Sequence, residues 1–212
     1  MEFNDKIGTN IIKSLLQIKA IKLNVTEPFT WVSGIKSPIY CDNRKILSFP
    51  ETRKLVTKSI VDLYNAYIQQ VDCIAGVATG GIAHGALVAD ILDLPFIYVR
   101  SEKKEHGLGN LIEGAIKPGW KVLVVEDLIS TGQSSLSAVD NIRNSECTVE
   151  GMIAIFTYGF DIAEEKFKNA DCKLITLTNY NTLINIASEQ GLINKNEIDI
   201  LEKWRQNPKV WP

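Results

Sequence analysis

Two adjacent carboxylates, Glu126 and Asp127, follow the apolar run Val122 to Val125 in the stretch KVLVVEDLISTGQSS, residues 121–135. After Leu128 and Ile129 the chain turns to Ser130, Thr131, Gly132, Gln133 and Ser134. Small residues before a helix let a phosphate reach unpaired backbone N–H groups at the positive end of the helix dipole, and hydroxyls add donors. The acid pair suits a different part of the same ligand: hydroxyl groups, or a metal-bound polyol. A second group, Arg100, Lys103, Lys104 and His106, gathers positive charge beside Gly107 and Gly109. Such a segment suits a polyanion that must be covered and then released. Gly80 and Gly81, in GVATGGIAHGA, would let a backbone approach a ligand closely. Each feature has a plain alternative: a Ser/Thr helix cap with solvated acids, a charged loop diluted by Glu102 and Glu105, and glycines that only allow tight helix–strand packing. No GxxxxGK[ST] or GxGxxG pattern occurs, so neither a P-loop nor a dinucleotide fingerprint is indicated.

The elements that must hold these residues can be read from periodicity. Ile7, Ile11, Ile12, Leu15, Leu16 and Ile18 recur at helical spacing over residues 4–21, and Pro50 with Glu51 opens a second helix over 50–69. Between them, residues 28–43 read as short strands broken by Gly34 and Pro38. Apolar strands then alternate with helices: CIAGVA, GGIAHGALVADIL, PFIYV, a polar stretch from Arg100 to Gly114, KVLVV, TGQSSLSAVDNIRN, VEGMIAIFTY, DIAEEKFKN and KLITL. Two amphipathic helices divided at Gly191 fill 179–206. This alternation predicts an α/β fold with a central, mainly parallel sheet flanked by helices. In such a sheet ligands bind outside the carboxyl ends of the strands, where Glu126 and Asp127 are expected to lie. We expect one domain, residues 1–212, with a core over about 50–178 and a small hood built from about 1–48 and the C-terminal helices.

The 212 residues are 45% hydrophobic with a net charge of -2, which argues against binding driven by the charge of a nucleic acid. Cys41, Cys73, Cys147 and Cys172 form no CxxC pair, so they are expected to be reduced, partly buried thiols. The N-terminus lacks the apolar core of a signal peptide, and the longest uncharged run, residues 73–89, is short for a membrane span and carries glycines. A cytoplasmic chain with no membrane and no nucleic-acid partner is expected.

VLVVEDLISTGQS resembles the 5-phosphoribosyl 1-pyrophosphate (PRPP) signature of the type I phosphoribosyltransferases. Two further stretches, FTWVSGIKSPIYCDNR at 29–44 and VRSEKKEHGLGNLIEG at 99–114, resemble the N-terminal motif and the mobile catalytic loop of the orotate-using members, and the likeness extends to EKWRQNP near the C-terminus. The resemblance implies a type I phosphoribosyltransferase fold and transfer of ribose 5-phosphate from PRPP to orotate, giving orotidine 5-monophosphate and pyrophosphate. It places Glu126 and Asp127 on the ribose hydroxyls, residues 128–134 on the 5-phosphate, and Gly80 and Gly81 on the pyrophosphate. Arg100, Lys103, Lys104 and His106 would meet the pyrophosphate, with Lys104, Arg100, His106 and Asp127 nearest the chemistry. Tyr40, Cys41 and Ser130 would border orotate. Mg²⁺ would be held mainly by PRPP and water, with Glu126 and Asp127 behind the water. The family's loop closes over a neighbouring subunit's site, which implies a homodimer with loop 100–114 crossing between subunits. Several cations of the pattern are missing: Val32, Gly80, Ser101 and Tyr158 stand where members often carry Lys or Arg. Arg44 is the first candidate to meet the orotate carboxylate instead, with Lys36 second; Lys103 could replace the charge lost at 101. A purine-using member would lack SGIKSPIYCDNR, and a non-catalytic PRPP-sensing regulator would be expected to add a nucleic-acid surface.

Overall fold

The computed structural model describes residues 5–31, 34–100 and 111–208. Helix α1 (Asp5–Gln17) leads into four short strands, β1 (Ile21–Leu23), β2 (Phe29–Thr30), β3 (Lys36–Ser37) and β4 (Ile39–Cys41), and a 3-10 turn over Asn43–Ser48. The alternating region follows as α2 (Pro50–Tyr67), β5 (Cys73–Val77), α3 (Gly80–Leu92), β6 (Phe96–Val99), β7 (Ile112–Glu113), β8 (Lys121–Ile129), α4 (Gln133–Arg143), β9 (Thr148–Thr157), α5 (Asp161–Asn169) and β10 (Leu174–Asn179). Helices α6 (Tyr180–Glu189) and α7 (Lys195–Gln206) close the chain.

The main sheet has the order β10-β9-β8-β5-β6-β7 and is parallel except for β7, which runs antiparallel to β6. Strand β7 lies within the polar stretch read from sequence as loop, because two residues carry no detectable period. Strands β5 and β8 read as unbroken apolar runs because both faces of the sheet are covered. Along β8, Leu123 and Val125 enter the core shared with α1 and α2, whereas Val122 and Val124 enter the core shared with α4 and α5. The period-2 alternation of side chains thus fills two cores from one strand.

Local chemistry fixes the helix boundaries. Pro50 occupies the first turn of α2 with Glu51 beside it, where a missing N–H is harmless and a negative charge meets the dipole. Asn194 and Glu197 form a reciprocal capping box at the start of α7. Helix α7 then drives Trp204 into the core, fully buried. Its ring lies 5.8 Å from Trp31, 5.8 Å from Tyr158, 5.7 Å from Phe160 and 5.9 Å from Tyr180, and its indole N–H donates to the Lys36 carbonyl at 3.1 Å. This aromatic cluster locks the β2–β3 hairpin and the last helix onto the ends of β9 and β10.

The strand order places the topological switch between β8 and β5: the chain moves from β5 outward to β6 on one side, and from β8 through β9 to β10 on the other. Crevices form at such a point because adjacent connections leave in opposite directions. No described helix is long and apolar enough to cross a membrane.

Candidate active site

Glu126 and Asp127 lie inside β8, which runs on to Ile129, and not at its end as expected. The reason is asymmetric pairing. On the β9 side the register continues to Ile129 opposite Thr157, whereas on the β5 side it stops at Val125 opposite Gly76. The two acids therefore begin where β5 ends, and that flank of β8 opens at the switch point.

The two carboxylates differ. Glu126 is buried, with 4% of its surface exposed. Its Oε1 accepts from the Asp127 backbone N–H at 2.9 Å and its Oε2 from the Ser135 hydroxyl at 2.9 Å. Burial, and then the neighbouring Asp127 charge, push the Glu126 carboxyl well above the usual range. An acid whose folded pKa is raised holds its proton longer in the native state than in the unfolded chain. Native stability therefore falls as pH climbs above the unfolded value of about 4.3. Glu126→Gln keeps an acceptor for the Asp127 amide and offers a donor to Ser135. Its melting temperature should exceed that of the parent by a margin that widens between about pH 5 and pH 8; thermal melts across that range check the sign.

Asp127 is half-buried and its carboxylate lies against Gly80, so close that a Cβ at Gly80 would overlap it. Gly81 is packed equally tightly: a Cβ there would meet the Val125 carbonyl oxygen and lie 3.3 Å from the Glu126 Cα. The glycines at the start of α3 thus allow tight helix–strand packing, the plain alternative open from sequence, and with it the approach of the Asp127 carboxylate. The peptide bond before Thr79 is cis.

Sequence reasoning missed one residue here. Asn43, fully buried, donates from Nδ2 to the Asp127 carbonyl at 2.6 Å and accepts at Oδ1 from the Cys41 thiol at 3.4 Å. It ties the 3-10 turn to the acid pair across 84 residues of sequence. A separation of that size leaves no local signal. His84, one turn beyond Gly80, is fully buried with neither ring nitrogen hydrogen-bonded. Burial holds its imidazole below the usual pKa and so neutral, outweighing the nearby Asp127 charge that favours the cation.

After β8 the chain turns through Ser130 and Thr131 to Gly132, whose φ of 74° serves the N-cap position of α4. No side chain caps that end, so its first N–H groups face the turn unclaimed by a cap. Gln133 Oε1 accepts from Lys166 Nζ at 2.7 Å, which brings a cation from α5 to the same turn.

Tyr40, Cys41 and Ser130 line one cavity of about 380 Å³ with Thr30, Trp31, Leu128 and Tyr158. Tyr158 is stacked on Phe160 at 5.6 Å and lies 5.0 Å from Trp31, and it brings no cation to this wall. Arg44 is not on this wall. Its Nε binds Asp42 Oδ1 at 2.7 Å, and the hydrogen bond to Arg44 holds the Asp42 carboxyl below its usual range. Arg100 stands at the root of the segment that follows, its amide donating to Leu111 O at 2.8 Å and its guanidinium 3.5 Å from Glu113. Lys103, Lys104 and His106 lie outside the described residues, as do Val32 and Ser101.

A sheet of this order, with an acid pair and a cap-free helix start on one strand and a glycine turn opposite, is the architecture of a phosphoribosyltransferase. The family description "Phosphoribosyl transferase domain" matches residues 42–188. Orotate phosphoribosyltransferase of Bacteroides thetaiotaomicron is 58% identical over 199 residues, covering 94% of each chain. That of Porphyromonas gingivalis is 52% identical over 205 residues, covering 97% of this chain and 98% of its own. Among solved structures, orotate phosphoribosyltransferase from Aeropyrum pernix superposes with a TM-score of 0.75 at 26% identity, over 87% of this chain and 99% of its own. The chain belongs to the orotate phosphoribosyltransferases of the phosphoribosyl transferase family.

Proposed function

We infer that the chain transfers the ribose 5-phosphate group of PRPP to orotate, and that the crevice between β8 and β5 is where it does so. The observation that carries the reading is the convergence at the switch point of Asp127, the Gly80–Gly81 turn and the uncapped start of α4. The C1–oxygen bond to pyrophosphate breaks, the C1–N1 bond to orotate forms, and the N1 proton of orotate leaves. As in glycosyl transfer generally, C1 passes through an oxocarbenium-like state. The chain's work is then to hold the sugar, stabilise the departing diphosphate and keep water away from C1.

Asp127, which lies beyond the last residue of β8 paired with β5, accepts hydrogen bonds from the ribose hydroxyls. Glu126 sits behind it, both oxygens already engaged, and sets the Asp127 backbone through the amide it binds. The backbone of residues 128–134 receives the 5-phosphate. Gly80 and Gly81 let the diphosphate approach the start of α3. Arg100 must loosen its 3.5 Å pairing with Glu113 to reach that diphosphate. Lys103, Lys104 and His106 complete the positive charge from the following segment, which crosses to the neighbouring subunit's site in a homodimer.

The residues fit Mg²⁺ held mainly by substrate. Among the described residues no three carboxylate, His or Cys side chains group as a cage, Glu126 is committed to Ser135 and Asp127, and only Asp127 is free to order a metal-bound water. When bound with PRPP, the ion neutralises diphosphate charge. The orotate ring lies in the cavity bordered by Tyr40, Cys41 and Ser130, against the walls that Trp31 and Tyr158 give it.

Mixing the protein with PRPP, Mg²⁺ and orotate should bleach the near-ultraviolet absorbance of orotate, and no change would refute the reading. Lys104→Ala should lower kcat by about 10²-fold, as expected when one charge-stabilising donor is lost, while the orotate Kd moves less than about threefold. Steady-state rates paired with orotate titration make that separation.

A further inference from the structure

A cation suits the ring carboxylate of orotate, and none of the described residues lining the 380 Å³ cavity carries one. A second cavity, of about 230 Å³, shares Trp31 and Ser130 with it and is also lined by Thr131, Gly159 and Arg205. We propose that Arg205, on the last turn of α7, binds the carboxylate of orotate and is the residue that selects this base over one without a carboxylate. The proposal rests on reading the chain as an orotate-using enzyme.

Four observations carry it. Arg205 is the one cationic side chain among the described residues that line the two joined cavities. It is half-buried, and its donors are largely unspent: Nη1 makes one long contact, 3.5 Å, to the Gly159 carbonyl, and no described carboxylate pairs with it. A guanidinium has five N–H donors in a planar fork that matches a carboxylate. Arg205 is also held in place from behind. The guanidinium carbon lies 5.6 Å over the Tyr180 ring, and the preceding residue is the fully buried Trp204. Finally, the contact at Gly159 sets the guanidinium at the residue that follows Tyr158, whose aromatic side chain lines the larger cavity. Asp161 lines the smaller cavity too, but its charge stands in the first turn of α5, where the helix dipole favours it.

Arg205 therefore reaches from the C-terminal helix what β9 does not supply. The charge lies close in space and far in sequence, since α7 is pinned to the hairpin by Trp204 against Trp31.

Arg205→Gln and Arg205→Lys test this in the full chain, with KM measured separately for orotate and PRPP and with uracil as a competing ligand lacking the carboxylate. Loss of a charge-assisted pair should raise the orotate KM of the Gln variant about 10- to 100-fold. The PRPP KM should stay within about twofold, uracil inhibition should be unchanged, and Lys should recover part of the loss. Equal rises in both KM values would assign Arg205 to the sugar phosphate or to structure and overturn the proposal. So would an unchanged orotate KM, or a carboxylate-specific loss in Arg44→Gln and not in Arg205→Gln. A parent protein that leaves orotate unconsumed would instead refute the functional reading itself.

Discussion

Asp127→Asn should lower kcat/KM for PRPP by about 10²- to 10³-fold, the scale of losing one preorganised electrostatic partner in a closed site. The substitution keeps shape and removes charge. The backbone carbonyl that Asn43 binds at 2.6 Å is untouched, so the 3-10 turn stays docked. The carboxylate is the more exposed of the pair, set against Gly80 where β5 stops pairing with β8. Its loss should thus fall on the sugar: a higher PRPP KM and a lower kcat, with the melting temperature within a few degrees of the parent. Initial rates with each substrate varied, beside a thermal melt, give the result. A variant that melts far lower would mean that Asp127 holds the fold together.

The second large effect is expected at Gly81. An alanine there would drive its Cβ into the Val125 carbonyl oxygen, and backbone of a central strand cannot yield as a side-chain tip can. Overpacking of this kind costs about 1–3 kcal/mol, and in a chain of this size each kcal/mol lowers the melting temperature by about 2–4 °C. Relief requires α3 to back away from β8, which carries the glycine turn out of register with Asp127. Gly81→Ala should therefore lose both several degrees and about 10²-fold in kcat/KM, since small misplacement of positioning groups is amplified in rate. Gly85→Ala is the comparison. Its Cβ would lie 2.8 Å from the edge of the Phe96 ring and 3.3 Å from Gly76 Cα, away from the acid pair, so stability should fall without the same loss of rate. If Gly81→Ala keeps full activity at a lower melting temperature, the turn is packing alone.

The parts of this architecture legible in sequence are those with a local cause. Buried parallel strands are continuous apolar runs, and β5, β6, β9 and β10 appear where those runs stand. Helix α3 begins and ends where GGIAHGALVADIL does. The acid pair with its Ser/Thr/Gly turn was legible because strand, turn and helix start are contiguous. Strand β8 was read too short, since the boundary depends on which neighbour it pairs with: β5 lets go at Val125 and β9 holds to Ile129. The roles of Asn43 and Arg205 left no trace, because each reaches the site through tertiary contact, one to Asp127 and the other to Gly159. The Arg44 side chain shows the converse. A cation near the right motif is drawn to Asp42, two residues away, and local pairing decides where it points.

The most direct test is a crystal structure with PRPP and Mg²⁺ bound. The account predicts ribose hydroxyls on the Asp127 carboxylate, the 5-phosphate on the amides that lead into α4, and the diphosphate at Gly80 and Gly81. A 5-phosphate seated anywhere else, with Asp127 turned away from the sugar, would contradict it.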